Sequence, residues 1–165
     1  MPAAFYGTLA AADLYFADRG NVAWAAVGEN DRMAALVRGS QVVDGLYEPR
    51  FPGLRTGSYE QPLSWPRRAA VTANGEAIPD DAVPLPVTYA AYEVAVVELI
   101  DPGSLTPVVR AAQTVKREKV GPLETEYAAA GSLDDNIAAA RPVLTMLDGL
   151  LYPFLRPVLP GILVV

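Results

Sequence analysis

Residues 86–100 set the strongest constraint on any fold this chain can adopt. They read PVTYAAYEVAVVELI, with Thr88, Glu93 and Glu98 as the strongly polar members. A helix that is apolar nearly all round must lie at the centre of a fold or at the centre of an oligomer. Prolines bound it. The lead-in is Val83-Pro84-Leu85-Pro86-Val87, and Pro86 suits a first turn, where its missing N–H costs nothing. Asp101-Pro102-Gly103 stops the helix.

The remaining helices are read from caps and spacing. Thr8 is a plausible N-cap for a helix from Leu9 to about Ala17, ended by Gly20. Asn21 caps a short second helix that carries Trp24. Asn30 begins a third, whose apolar positions Met33, Leu36, Val37, Val43 and Tyr47 make an amphipathic stripe read as core. Ser40 interrupts that stripe, and Gly39 and Gly45 weaken the helix around it. A last helix runs from about Leu133 toward Leu151, with Asp134 and Asp135 favourable in its first turn and Pro142 interrupting it.

Residues 48–68 show neither helical nor strand period and read as a long, ordered loop. Arg50, Arg55, Arg67 and Arg68 lie there beside Phe51, Tyr59 and Trp65. Such a set can stack bases. The preferred reading is a structural corner, Trp65-Pro66-Arg67, with Trp65 buried and Arg67 paired to a carboxylate. The chain's net charge of −6 repels phosphate.

Between 113 and 128 the period changes to that of a β-hairpin around Gly121-Pro122. Its first arm is basic (Lys116, Arg117, Lys119) and its second acidic (Glu124, Glu126). Two strands alone are marginal in water, so this arm is expected to need a neighbour, as a ring interface would supply.

The chain ends in an apolar run broken by Pro153, Pro157 and Pro160, with Arg156 as its one charge. Those prolines favour an extended segment. Tyr152, Phe154, Leu155, Val158, Leu159, Ile162 and Leu163 are read as docking on a partner in preference to packing back. The expected organisation is therefore a mainly α-helical domain over 1–151, with a small β-arm at about 113–128, and a docking tail over 152–165.

Composition narrows the chemistry. Cysteine and histidine are both absent, which removes thiolate metal sites, disulfides and the commonest general base. No cofactor or metal is expected. Adjacent carboxylates at Asp80–Asp81 and Asp134–Asp135 are explained by helix N-termini. A carboxylate-only enzyme would need a polar pocket around Asp80, Asp81 or Glu93. The acidic balance does not suit a free-standing nucleic-acid binder. The N-terminal residues lack the pattern of a signal peptide, and no long apolar run suggests a membrane span, so cytoplasmic synthesis is the default expectation.

Several motifs recur in an informative order: AADLYFADRG at 11–20 followed by Trp24, AALVR at 34–38, QPLSWPR at 61–67, the lead-in and helix of 84–95, KVGP at 119–122 with Tyr127, and residues 142–151. In that order the chain resembles the head-tail connector, or adaptor, family of tailed phages, many of whose members are labelled DnaT-like single-stranded-DNA-binding proteins. The resemblance implies a structural, non-enzymatic virion protein at the head–tail interface, assembled in the host cytoplasm as a dodecameric ring. Its implied partners are other copies of itself, the portal protein, a tail-proximal connector, stopper or tail terminator, and passing genomic DNA without sequence-specific contacts, with no membrane. The label implies the alternative, a single-stranded-DNA-binding replication protein. Three features depart from the family pattern: Gly39 after Arg38, expected to loosen the third helix; Val87-Thr88-Tyr89 in place of a basic lead-in; and the long apolar tail.

Overall fold

The computed structural model describes residues 5–106, residues 145–156, and two strands at Arg117–Val120 and Leu123–Glu126. The chain divides into two compact units, Met1–Ser104 with Leu144–Val165, and Leu105–Val143. The sequence reading instead places its boundary between 151 and 152.

The first unit is mainly helical: α1 (Leu9–Ala17), α2 (Val22–Ala25), α3 (Glu29–Tyr47), α4 (Leu85–Ile100) and α5 (Thr145–Leu151). Thr8 caps α1 by accepting from the Ala11 N–H at 3.1 Å, and Asn21 caps α2 by accepting from Trp24 N–H at 3.0 Å. Gly20, at φ 63°, takes the reversal between them. Helix α3 starts a residue before Asn30, with Gly28 at its N-cap and Glu29 and Asp31 in the first turn, where carboxylates suit the helix dipole.

Helices α3 and α4 form the central packing pair. Their crossing runs through Gly39. A Cβ there would lie 2.6 Å from the Ala91 carbonyl and 2.8 Å from the Ala95 nitrogen. Gly39 therefore does not loosen α3; it lets two backbones touch. Ala35, Leu36, Val43 and Tyr47 share the buried face, whereas Met33 is exposed, so the stripe is turned from the face that Met33 would mark. Ser40 belongs to the buried face too. Its hydroxyl donates to Leu36 O at 2.8 Å and accepts from Tyr6 N at 3.0 Å.

Against this pair sits a cluster of Ala12, Tyr15, Phe16, Trp24 and Tyr92. The Phe16 and Trp24 rings lie 4.5 Å apart, and Tyr15 meets Tyr92 edge-on at 5.5 Å. The Trp24 indole N–H and the Arg32 guanidinium both donate to Asp13 Oδ1 at 2.7 Å. Helix α4 is central, as its composition demands. Its one fully buried charge, Glu98, accepts from the Gly103 N–H at 2.8 Å and faces Arg38 Nε at 3.3 Å. Buried carboxylates persist where such partners exist.

The loop of 48–68 contains more structure than its lack of period suggests. Short 3-10 turns occupy Glu48–Arg50 and Ser58–Glu60, and β1 (Leu54–Arg55) pairs antiparallel with β2 (Arg67–Arg68). Two-residue strands are too short to display a period of two. A second ribbon joins β3 (Ala70–Val71) to β4 (Ala77–Ile78) through a turn at Gly75, whose φ is 85°.

In the second unit, β5 (Arg117–Val120) pairs antiparallel with β6 (Leu123–Glu126). The register sets Arg117 opposite Glu126 and Lys119 opposite Glu124. Lys116 lies outside the described residues.

The start of the tail differs from the extended reading. Tyr152–Phe154 forms a 3-10 turn. Leu155 is buried in the chain's own core, at 6% exposure. The Pro153 carbonyl accepts from Ala73 N at 2.7 Å, and Arg156 donates from its backbone to Arg50 O at 2.7 Å and from its guanidinium to Phe51 O at 2.7 and 3.0 Å. Proline at the second position of the turn fits 3-10 geometry as readily as extended chain. Residues 152–156 therefore pack back on their own unit, with Leu155 covered by it. Phe154 is half-buried and Tyr152 exposed. Val158, Leu159, Ile162 and Leu163 lie outside the described residues.

Candidate nucleic-acid interface

The loop after α3 is organised by one buried carboxylate. Asp44, on the last turns of α3, accepts from the Tyr6 hydroxyl at 2.5 Å and from Ser64 N at 2.8 Å, and the Tyr6 oxygen in turn accepts from Trp65 N at 3.1 Å. Burial raises Asp44 above the ordinary carboxylate range, against the lowering effect of those hydrogen bonds. Burial, with Asp44 beside it, also raises the Tyr6 phenol. Trp65 is fully buried and meets Phe51 edge-on at 5.6 Å.

Arginines tie the corner together. Arg55 Nε and Nη2 each donate to one oxygen of Glu48 at 2.6 Å, a two-pronged pair that holds Glu48 below its usual value. Arg67 is buried and donates to the carbonyls of Pro52 (2.6 Å), Gly53 (2.9 Å) and Ser64 (3.1 Å). Glu48 is 3.7 Å from it, so carbonyls, more than the expected carboxylate, hold this guanidinium. Gly53 is obligatory: its φ is 68°, and a Cβ would sit 2.4 Å from the Arg68 carbonyl.

The structure thus sorts the aromatic and arginine residues that the sequence groups together. Phe51, Trp65 and Arg67 are internal, and Arg55 is committed to Glu48. Tyr59 and Arg68 face outward, Tyr59 at 87% exposure, with the exposed Leu54 beside them. No carboxylate or carbonyl pairs with Arg68 among the described residues. Arg50 is half-buried, and its Nε has no hydrogen-bond partner among the described residues; Arg19 is engaged with Tyr15 O and Glu93, Arg32 with Asp13, Arg38 with Glu98, and Arg156 with Phe51 O.

The loop that carries Tyr59 is braced. The Gln61 side chain accepts from Gly57 N at 2.7 Å and donates to the carbonyls of Leu63 (2.7 Å) and Pro66 (3.0 Å), while Arg55 Nη1 donates to Gln61 O at 2.7 Å. Asp80, expected to serve a helix start, instead accepts from the N–H of Ala69, a residue at φ 51°, and its carbonyl accepts from Thr56 Oγ1. It lies before the Pro84 cap of α4 and holds the same loop. Glu93 bonds the Tyr15 hydroxyl at 2.6 Å. No group of metal-ligating residues gathers among the described residues, and no described helix is long and apolar enough to cross a membrane.

A small, mainly helical unit with a braced aromatic–arginine loop is the class that the fold defines. Residues 3–161 match the family described as "Putative DnaT-like ssDNA binding protein", and the chain belongs to that family. No curated protein and no solved structure matches it.

Proposed function

We propose that the protein binds single-stranded DNA without catalysing a reaction. The family match over residues 3–161 carries this reading, and the outward Tyr59 and Arg68 give it a physical foothold. Most described arginines are spent internally, and the chain is acidic overall, so each copy contributes few phosphate contacts. Affinity then depends on several copies acting along one strand. Fluorescence anisotropy of a labelled oligo-dT at low and physiological salt tests this. Binding that weakens with salt is expected; no binding at tens of micromolar protein, even at low salt, sinks the reading.

A second reading is the head-tail connector. The ordered motifs support it, together with the β5–β6 pair, which forms a two-stranded sheet of a kind marginal by itself. In that reading the copies form a ring on the portal, and tail residues beyond Arg156 engage the partner. A chain ending at Arg156 keeps every described contact of the tail. It is expected to stay folded by circular dichroism yet fail to join portals in an assembly assay. Normal joining would remove the docking role of the tail. The mass of the assembled particle tests the ring itself.

A further inference from the structure

We infer that Tyr59 and Arg68 form a one-nucleotide contact, with a base stacked on the Tyr59 ring and a backbone phosphate held by Arg68. The inference rests on the single-stranded-DNA reading and specifies where the strand is touched.

The β1–β2 register separates the arginines by face. Leu54 stands opposite Arg68, and Arg55 opposite Arg67. Alternate residues of a strand point to opposite faces, so the Arg55–Arg67 pair turns inward to Glu48 and the carbonyls while Leu54 and Arg68 turn out. Leu54, Ser58, Tyr59 and Arg68, with Arg55, line a depression of about 460 Å³. That is within the range of small-ligand sites.

Ser58 is the second observation. Its φ is 56°, a left-handed conformation that is uncommon for a residue with a side chain. Hydrogen bonds from Gly57 to Gln61, and from Gln61 to Leu63 and Pro66, hold this backbone. A strained turn that presents an exposed aromatic ring gains nothing from burial. Strain of this kind points to a surface shaped for a ligand.

The chemistry selects the ligand. An exposed ring offers a π-face to any base, and a guanidinium with no carboxylate or carbonyl partner among the described residues suits a phosphate. Leu54 supplies apolar contact for a sugar. Stacking on a ring is open to every base, so the contact is sequence-tolerant. Glu60 is exposed next to Tyr59 and disfavours a second phosphate. A protein partner fits less well, because a stable interface covers about 800 Å² on each side, far more than these few side chains offer.

The test uses full-length protein and a labelled oligo-dT, titrated by anisotropy at several salt concentrations. Tyr59→Ala should weaken binding about tenfold, within the range for a lost base stack, while Tyr59→Phe stays within about twofold of the original by keeping the ring. Arg68→Gln should make the slope of log affinity against log salt shallower by about 0.7, one phosphate contact on a single strand. Circular dichroism confirms that each variant is folded. If the original protein binds but Tyr59→Ala and Arg68→Gln bind equally well, the strand is held elsewhere and the inference fails while the DNA reading stands. If the original protein does not bind, the DNA reading fails and takes the inference with it. If Tyr59→Ala changes only the assembled mass, the patch is a protein contact and the inference is overturned.

Discussion

Asp44 shows how one side chain joins distant segments. It connects Tyr6, α3 and the Ser64–Trp65 backbone through three hydrogen bonds that include the Tyr6 hydroxyl. Replacing it with Ala leaves Ser64 N without its acceptor and the Tyr6 hydroxyl without its own. A loss of about 1–3 kcal/mol is expected in urea unfolding, the cost of leaving buried polar groups unpaired. Tyr6→Phe, which deletes the hydroxyl alone, should cost no more than that. Titration gives an independent check. Burial raises the phenols of Tyr6, Tyr15 and Tyr47. Above about pH 10, where free tyrosine ionises, the unfolded chain releases these protons and the folded chain keeps them. The unfolded state then binds fewer protons, so stability falls as pH rises. The acid side has the opposite sign at Glu48, whose lowered value means that its contribution is present above the usual carboxylate range and lost as pH falls through the folded value. In melts across pH, Glu48→Gln should flatten the acid limb, and Tyr6→Phe the alkaline one. None of these partners was legible in the chain alone. Ser40 read as an interruption of an apolar stripe and Asp44 drew no notice, because spacing reports which face is buried but not which polar group is met there.

At the scale of elements, two glycines in α3 make a paired test. Gly39→Ala places a methyl group against the Ala91 carbonyl and the Ala95 nitrogen. Backbone cannot give way as a flexible side chain does, so a loss of about 3 kcal/mol or more is expected, at the high end for overpacking. Gly45 has nothing within 4 Å of a Cβ. Gly45→Ala should stabilise the helix by about 0.5–1 kcal/mol through helix propensity and unfolded-state entropy. Thermal melts of the two variants should move in opposite directions; equal shifts would refute the backbone-contact account. The caps at Thr8 and Asn21 and the stop after Ile100 were legible, since each follows from local chemistry. The β1–β2 ribbon was not, because its pairing is between residues far apart in sequence and its strands have two residues each.

For the whole molecule, the composition of α4 required it to lie at the centre of a fold or of an oligomer, and the packing of α3 on α4 supplies the first. A helix that is apolar nearly all round has no stable place in water, whatever surrounds it. The charge pattern of the hairpin was legible too, since the antiparallel register sets Arg117 opposite Glu126 and Lys119 opposite Glu124. Which arginines find partners among the described residues follows from packing and not from the chain's composition. Charge counted along a chain does not say where carbonyls and carboxylates converge, and here they take up Arg55, Arg67 and Arg156 while leaving Arg68 exposed. The same is true of the tail: its prolines allow an extended run or a 3-10 turn, and the carbonyls of Arg50 and Phe51, positioned by the end of α3, supply the partners that bind Arg156 back onto the core. Local composition limits what a segment can do, but a choice between two permitted conformations is made by partners brought from elsewhere in the chain.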